Sequence, residues 1–519
     1  MKEKKKKDKN KKNKKKIVIV TLIVVIAIAL IAVGVFMVMN NSNKPTTSKV
    51  TKEQKKSAYR MSGNSLEDFD LYFLQLENEN VNKIYSPLSI KYVLEMLGDG
   101  SEGNSKTQID SVIGDYKSKK YINDEHMSFA NAMFIKEAYK DSINSKYTQK
   151  LLDKYNAEVI YDSFESPDNL NSWVSNKTFK LIDNLFDDSV SEKDFVLVNA
   201  LAIDMEWNKL IQATTSNYND AFSVAYSHEN FSMFVPVIEG DNYSSVKFNN
   251  DTIDAKTVEI GAAVNNYDIV NALGEESIRQ TVGPEYEKWL AEGGCGGDPD
   301  VNTYLDSYIK DLNSNYKRVD SSTDFSLYDD DEVKVFAKDL KEYNGTTLQY
   351  VGIMPKADGL DNYIKNIDAK KVNTIINNLK EIKSENFKDG VVTKVTGYIP
   401  LFKFDYELDL MNDLKQLGIT DVFDINKANL SNIISDRQVS IVDAAHKANI
   451  EFSNEGIKAA AATQMGGAGS ASCGFTYDYD VPVETIDLTF NNPYLFLIRD
   501  KNSGEVWFTG TVYNPLPKE

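Results

Sequence analysis

Apolar positions along this chain follow three different rhythms. Between Ile17 and Met39 they are nearly continuous: 23 residues without a charge. At about 1.5 Å per residue, a helix of that length spans roughly 34 Å, enough to cross a bilayer. Elsewhere they recur at helical spacing. Leu66, Phe69, Phe73 and Leu76 share one face behind a capping sequence, Ser65-Leu66-Glu67-Asp68. Glu275–Ala291 and Val301–Tyr316 read as two short amphipathic helices around a glycine-rich turn that holds Cys295. The third rhythm is that of strands. Phe195-Val196-Leu197-Val198 predicts a buried strand, while Val333–Phe336 and Thr347–Lys356 predict alternating ones. Strands and helices are mixed but segregated, so the expected fold class is α+β.

One stretch fits two rhythms. Glu455-Gly456-Ile457-Lys458 leads into Ala459-Ala460-Ala461-Ala462-Thr463, and small residues follow to Cys473. Alanine favours helix, but the later glycines argue against a long one. With a period of two, Ile457, Ala459, Ala461, Thr463, Met465 and Gly467 fall on one uncharged face. Such a segment can be an exposed loop at one time and a buried strand at another.

Charge matters most at the N-terminus. The first 16 residues hold 11 lysines against Glu3 and Asp8. Beside the long apolar run, this tail reads as the cytoplasmic flank of an uncleaved signal anchor. A cleavable signal peptide has a shorter apolar core. The expected order is a basic cytoplasmic tail at 1–16, a single transmembrane helix at 17–39, a flexible linker at 40–60 and an extracellular domain at 61–519. Without the tail, basic residues fall from 59 to 48 and acidic ones from 77 to 75, leaving about −27. That excess argues against a nucleic-acid partner and favours a soluble monomeric domain at the cell membrane.

The chemistry on offer is sparse. Two cysteines, Cys295 and Cys473, exclude a disulfide scaffold and a cysteine-based metal site. His126, His228 and His446 lack metal-ligand spacing, so no metal or other cofactor is expected. A hydrolase could draw on His446, but no G-x-S-x-G elbow or other nucleophile motif accompanies it. No enzyme is expected.

Several ordered motifs carry a resemblance. They are Asn82-Lys83-Ile84-Tyr85-Ser86-Pro87-Leu88-Ser89-Ile90; Asn171-Ser172-Trp173-Val174 with Thr178; and Phe195–Asn199 followed by Trp207. Leu417-Gly418-Ile419-Thr420-Asp421 comes next, then His446-Lys447-Ala448 ten residues before Gly456. The tail holds Phe490–Asp500, Phe508-Thr509-Gly510 and Asn514-Pro515. From about residue 61 to the end, apart from about 265–325, the chain resembles the serpins, the serine protease inhibitor family, in a membrane-anchored, bacterial-type form. Taken alone, Ser-Pro-x-Ser is also a common helix start. The chain departs from the family at Lys180, where a glycine is usual, and at Asp204-Met205, where Lys-Gly is usual. It departs again at Ile457, bulkier than the usual Thr or Ser, and at Lys458, where an acid is favoured.

The resemblance implies three β-sheets, eight or nine helices and an exposed reactive-centre loop at about 456–485. It makes Glu455–Thr463 the loop hinge, Ser86, Ser89, Asn199 and His446 a polar shutter beneath the main sheet, and Trp207 part of the breach where insertion begins. The implied partner is a serine protease, with cysteine proteases as a second class, held as a covalent acyl complex. A non-inhibitory member acting as a binding module is the alternative. The resemblance also lets Cys295 and Cys473 approach each other, with two free thiols as the alternative. Family spacing, counting Gly456 as the first of fifteen residues before the bond, puts cleavage at Ser470–Ala471. Small residues there suit elastase-like or subtilisin-like proteases rather than trypsin-like ones. The loop is longer than in many members, so cleavage after Cys473, Phe475 or Tyr477 stays open, the last two suiting a chymotrypsin-like enzyme.

Overall fold

The computed structural model describes residues 59–516, except 77–78, 209–243, 295–296, 322–323, 358, 445, 458–474, 476 and 478. The apolar run Ile17–Met39, His228, Cys295, Lys458–Thr463, Ser470, Ala471 and Cys473 lie outside the described residues. Among the described residues, no helix is long and apolar enough to cross a membrane.

The helices are α1 (Phe69–Leu76), α2 (Pro87–Gly100), α3 (Gly103–Ile113), α4 (Ser145–Tyr155), α5 (Asp168–Lys177) and α6 (Ile269–Leu273). They continue with α7 (Glu275–Ala291), α8 (Val301–Ser314), α9 (Gly359–Asn366), α10 (Ala369–Asn377) and α11 (Leu410–Leu417). Sequence and local structure agree closely at α2. Ser86 is its N-cap, accepting from the Ser89 amide, and Pro87 occupies the first turn where its missing N–H costs nothing. The helix expected to reach Tyr316 stops at Ser314, where the Asn315 amide still donates to Asp311 and Leu312.

One sheet has seven strands in the order β1 (Lys83–Tyr85), β20 (Val506–Val512), β19 (Tyr494–Asp500), β12 (Thr346–Pro355), β11 (Val333–Tyr343), β10 (Ser326–Asp329) and β13 (Lys380–Glu381). Strand β20 is buried throughout, as a strand covered on both faces is, and β12, expected to alternate, is buried at every position from Leu348 to Pro355. A second sheet runs β18 (Val483–Asp487), β14 (Val392–Pro400), β8 (Thr257–Asn265) and β9 (Val319–Ser321). A hairpin, β6 (Ser244–Phe248) and β7 (Asp251–Ala255), stands apart.

The remaining sheet is the one that positions the site, and it is split. One half is β3 (Glu158–Asp162), β2 (Met127–Lys136) and β4 (Phe195–Ile203); the other is β15 (Phe402–Leu408), β16 (His446–Phe452), β17 (Gly456–Ile457) and β5 (Met205–Glu206). Strands β4 and β5 follow one another across Asp204, which makes them the shared seam. Two-residue β17 bridges the halves. It pairs antiparallel with β5 through Gly456–Glu206 and Ile457–Met205, and with β16 through Phe452–Ile457. Both partners run antiparallel to β17, so β5 and β16 run parallel to each other. Among the described residues, no ladder joins β4 to β16. The sheet is therefore closed at β17 and open alongside β4. One large apolar core, including the fully buried Trp207, Trp507, Tyr350 and Tyr494, lies between the sheets and helices.

Candidate functional site

The site begins at the closed end. Gly456 faces a neighbouring backbone so closely that a Cβ there would sit 2.1 Å from the Met205 carbonyl oxygen. Only glycine lets this strand come so near β5. Ser453 ties the turn: its amide and hydroxyl both donate to the Gly456 carbonyl at 3.0 Å, and its Oγ accepts from the Glu455 and Gly456 amides. Trp207 closes the corner. Its amide donates to the Glu455 carbonyl at 2.9 Å and its indole Nε1–H to the Ser453 carbonyl at 3.0 Å. The ring is fully buried, edge-on to Phe452 at 5.5 Å. Ile457, the first inward position of the alternating stretch, is 2% exposed. The Lys-Gly replaced by Asp204-Met205 costs no local contact: Met205 is buried and pairs with Ile457.

Below this corner the gap between β4 and β16 holds two cavities. The upper one is lined by Leu201, Ile203, Asn449, Ile450 and Ile457, with Ile182 across it. The lower, of about 120 Å³, is bounded by Phe195–Leu201 on one side and His446–Ala448 on the other. Helix α5 covers the β2–β4 half, with Leu170 and Val174 in one apolar cluster with Phe134 and Val198. At its end, Phe179 and Lys180 have φ of 51° and 62°. Lys180 thus occupies left-handed backbone that favours glycine.

Ser86, Ser89, Asn199 and His446 all line the lower cavity. They are not one closed network. The Ser86 amide donates to His446 Nε2 at 2.9 Å, while Asn199 donates to Asn131 Oδ1 at 2.8 Å. Ser89 Oγ and Asn199 Oδ1 are buried without a hydrogen-bond partner among the described residues. Surrounding protein desolvates the His446 ring and pushes its pKa down to about 4, so it is neutral at pH 7. A neutral imidazole that accepts from a backbone amide is a structural acceptor rather than a general base with a nucleophile beside it. At the open end, Lys193 Nζ lies 3.0 Å from Asp443 and joins the two walls.

Sequence reasoning missed Asn131 and Ser453. Asn131 stands directly opposite Asn199 in the β2–β4 register, and only register reveals that pairing. Ser453 carried a local signal, a serine two residues before Glu455, the pattern of a hydroxyl-capped turn. Of the loop's distal residues, Phe475 and Tyr477 are partly buried beside the helices α7 and α8.

Comparison with known proteins agrees with this geometry. A sequence model described as "Serpin (serine protease inhibitor)" matches residues 68–261 and 316–515. An uncharacterised serpin-like protein of Methanosarcina acetivorans is 22% identical, over 88% of this chain and 86% of its own length. Mouse neuroserpin is 24% identical, over 85% of this chain and 87% of its own. Among solved structures, a thermophilic serpin, tengpin, in its native state shares the fold with a TM-score of 0.56 at 19% identity, covering 91% of this chain and 95% of that one. With a main sheet open between β4 and β16, Gly456-Ile457 paired at its closed end and a family match on both sides of residues 262–315, the chain belongs to the serpins, the serine protease inhibitor family.

Proposed function

We propose that this serpin is a suicide inhibitor of serine proteases, tethered outside the cell by Ile17–Met39. Serpins in general act on target proteases as inhibitors rather than as catalysts. The observation that carries the inhibitory reading here is β17: Gly456 and Ile457 already form a strand of the main sheet, seated at the head of a gap whose walls have no partner strand among the described residues. The chemistry belongs to the protease. Its serine oxygen attacks the loop carbonyl, the C–N bond breaks, the new amino terminus leaves and an ester joins enzyme to loop. The freed strand then extends β17 between β4 and β16 and carries the enzyme along the sheet. Distortion of the enzyme's catalytic site stalls water attack on the ester. The walls suit an arriving backbone, since Ser89 Oγ and Asn199 Oδ1 lack partners among the described residues and Ile182, Leu201 and Ile450 offer apolar cover. The same features fit a metastable form held by kinetics.

The bond favoured is Ser470–Ala471, which gives an inserted strand from Ile457 to Ser470 of 14 residues, roughly 46 Å at about 3.3 Å each. Its inward face is uncharged, and its small residues suit an elastase-like or subtilisin-like enzyme. The tether rests on the lysine-rich tail and apolar run of the sequence. Incubation with a panel of proteases tests the reading. An SDS-stable complex with an elastase-like or subtilisin-like enzyme is the expected outcome. Clean cleavage without a complex would instead favour a non-inhibitory binding module, and turnover without added protease would favour a hydrolase.

A further inference from the structure

Between β8 and β9 the chain builds a small helical unit. Helices α7 and α8 pack together through Ile278, Val282, Leu305, Ile309 and Leu312, and the Tyr286 and Tyr304 rings stack at 3.6 Å. The unit does not complete its own core. Phe475 comes from the far end of the chain and stands edge-on to Tyr286 at 5.2 Å and to Trp289 at 5.8 Å. Tyr479 is 7% exposed, with its hydroxyl 3.3 Å from that of Tyr308. Val481 is 5% exposed in the same cluster. The next residue, Pro482, accepts from the Val392 amide, and β18 then pairs parallel with β14.

We propose that the α7–α8 unit is a seat for the distal stem of the reactive loop, and that it determines which bonds a protease can reach. A protease needs several residues on both sides of the bond in an extended, accessible form, so a seated segment is cut only after local opening. Phe475 is held by three aromatic rings and Tyr477 lies between two anchored side chains, 4.9 Å from the Tyr479 ring. Bonds after these two residues are withdrawn from attack. A chymotrypsin-like enzyme loses the three aromatic sites Phe475, Tyr477 and Tyr479, and the reactive bond is confined to the N-terminal side of Phe475. The extra loop length is absorbed by the seat instead of lengthening the free arm.

The assignment rests on the loop reading above, but its test does not depend on inhibition. The full chain is treated with chymotrypsin and the fragments are identified by N-terminal sequencing over time. In the wild type, the fragment starting at Asp478 forms at least tenfold more slowly than in the Phe475→Ala/Tyr479→Ala variant, which keeps Tyr477 before that bond. Tyr479→Phe, which keeps the ring, retains the protection. Wild-type cleavage after Tyr477 as fast as in a synthetic peptide of residues 470–482 would overturn the seat, whether or not the variant folds. Equal rates in wild type and a folded double variant would overturn it as well. Protection that persists in a protein forming no SDS-stable complex would refute the inhibitor and leave the seat standing; the converse result would do the opposite.

Discussion

Gly456 at the head of the gap and His446 in its lower cavity set its behaviour. Gly456 is required by backbone proximity, since its missing Cβ would collide with the Met205 carbonyl at 2.1 Å. Gly456→Ala is expected to strain the β5–β17 pairing by about 1–3 kcal/mol, in the range of overpacked positions. Hydrogen exchange at the Trp207 amide, which donates to Glu455, then rises by roughly tenfold or more. Unchanged exchange would mean that the hinge is not held there. His446 acts through protonation. Its folded pKa of about 4 lies below the ordinary 6.5, so the unfolded chain takes up the proton first as pH falls. Stability contributed by the neutral ring is complete above about pH 6.5, declines between 6.5 and 4, and amounts to at most about 3 kcal/mol. Urea unfolding at pH 7 and pH 4.5 reads the difference, and His446→Asn should lessen it; an equal slope in the variant would remove His446 as the cause. Lys180 makes the third case. With φ at 62°, Lys180→Gly is expected to stabilise by up to about 1 kcal/mol, the left-handed penalty less the added entropy of the unfolded chain. A lower unfolding midpoint would contradict that backbone argument.

At the scale of elements, β4, β5, β16 and β17 form a sheet that is complete at one end only. The inserted strand would continue the register begun at Ile457, so Ala461 follows it on the inward face at a spacing of two. Ala461→Arg should therefore abolish the stable protease complex while leaving loop cleavage at the wild-type rate, because an unpaired guanidinium would enter the core. A wild-type yield of complex would show the register to be off by one. Much of this architecture was legible in the sequence. The Ser86-Pro87-Leu88-Ser89 motif is both helix cap and cavity wall, so its two readings coincide in one structure. The helix Glu275–Ala291 followed from periodicity, and the strands at Val333 and Thr347 were placed, but the alternation expected of the second is replaced by burial on both faces from Leu348 to Pro355. The gap did not. The apolar run of β4 reads the same whether or not a neighbour pairs with it, so an unmade ladder leaves no mark in the sequence. The Asn131–Asn199 contact depends on register, and the contacts of Phe475 and Tyr479 span more than 150 positions of chain. No local pattern encodes either.

The molecule as a whole combines a stable core with one unfinished sheet. The Lys193–Asp443 pair joins the walls at the open end, with Lys193 buried and Asp443 exposed, and the strand pairing that closes the sheet lies at β17. The loop is tied at both ends, by Gly456–Ile457 at the sheet and by the stem that ends in β18. On the proposed mechanism, cutting between these ties releases the strand for insertion. The central claim is that the gap between β4 and β16 receives the cut loop. It is tested most directly by comparing melting of the intact protein with that of the same protein cleaved within the loop by a non-target protease. Each inserted backbone hydrogen bond contributes on the order of 1 kcal/mol. A strand of 14 residues should therefore raise the melting temperature by roughly 10 °C or more, given about 1–2 °C per kcal/mol in a domain of this size. Equal melting temperatures for the intact and cleaved forms would contradict the account.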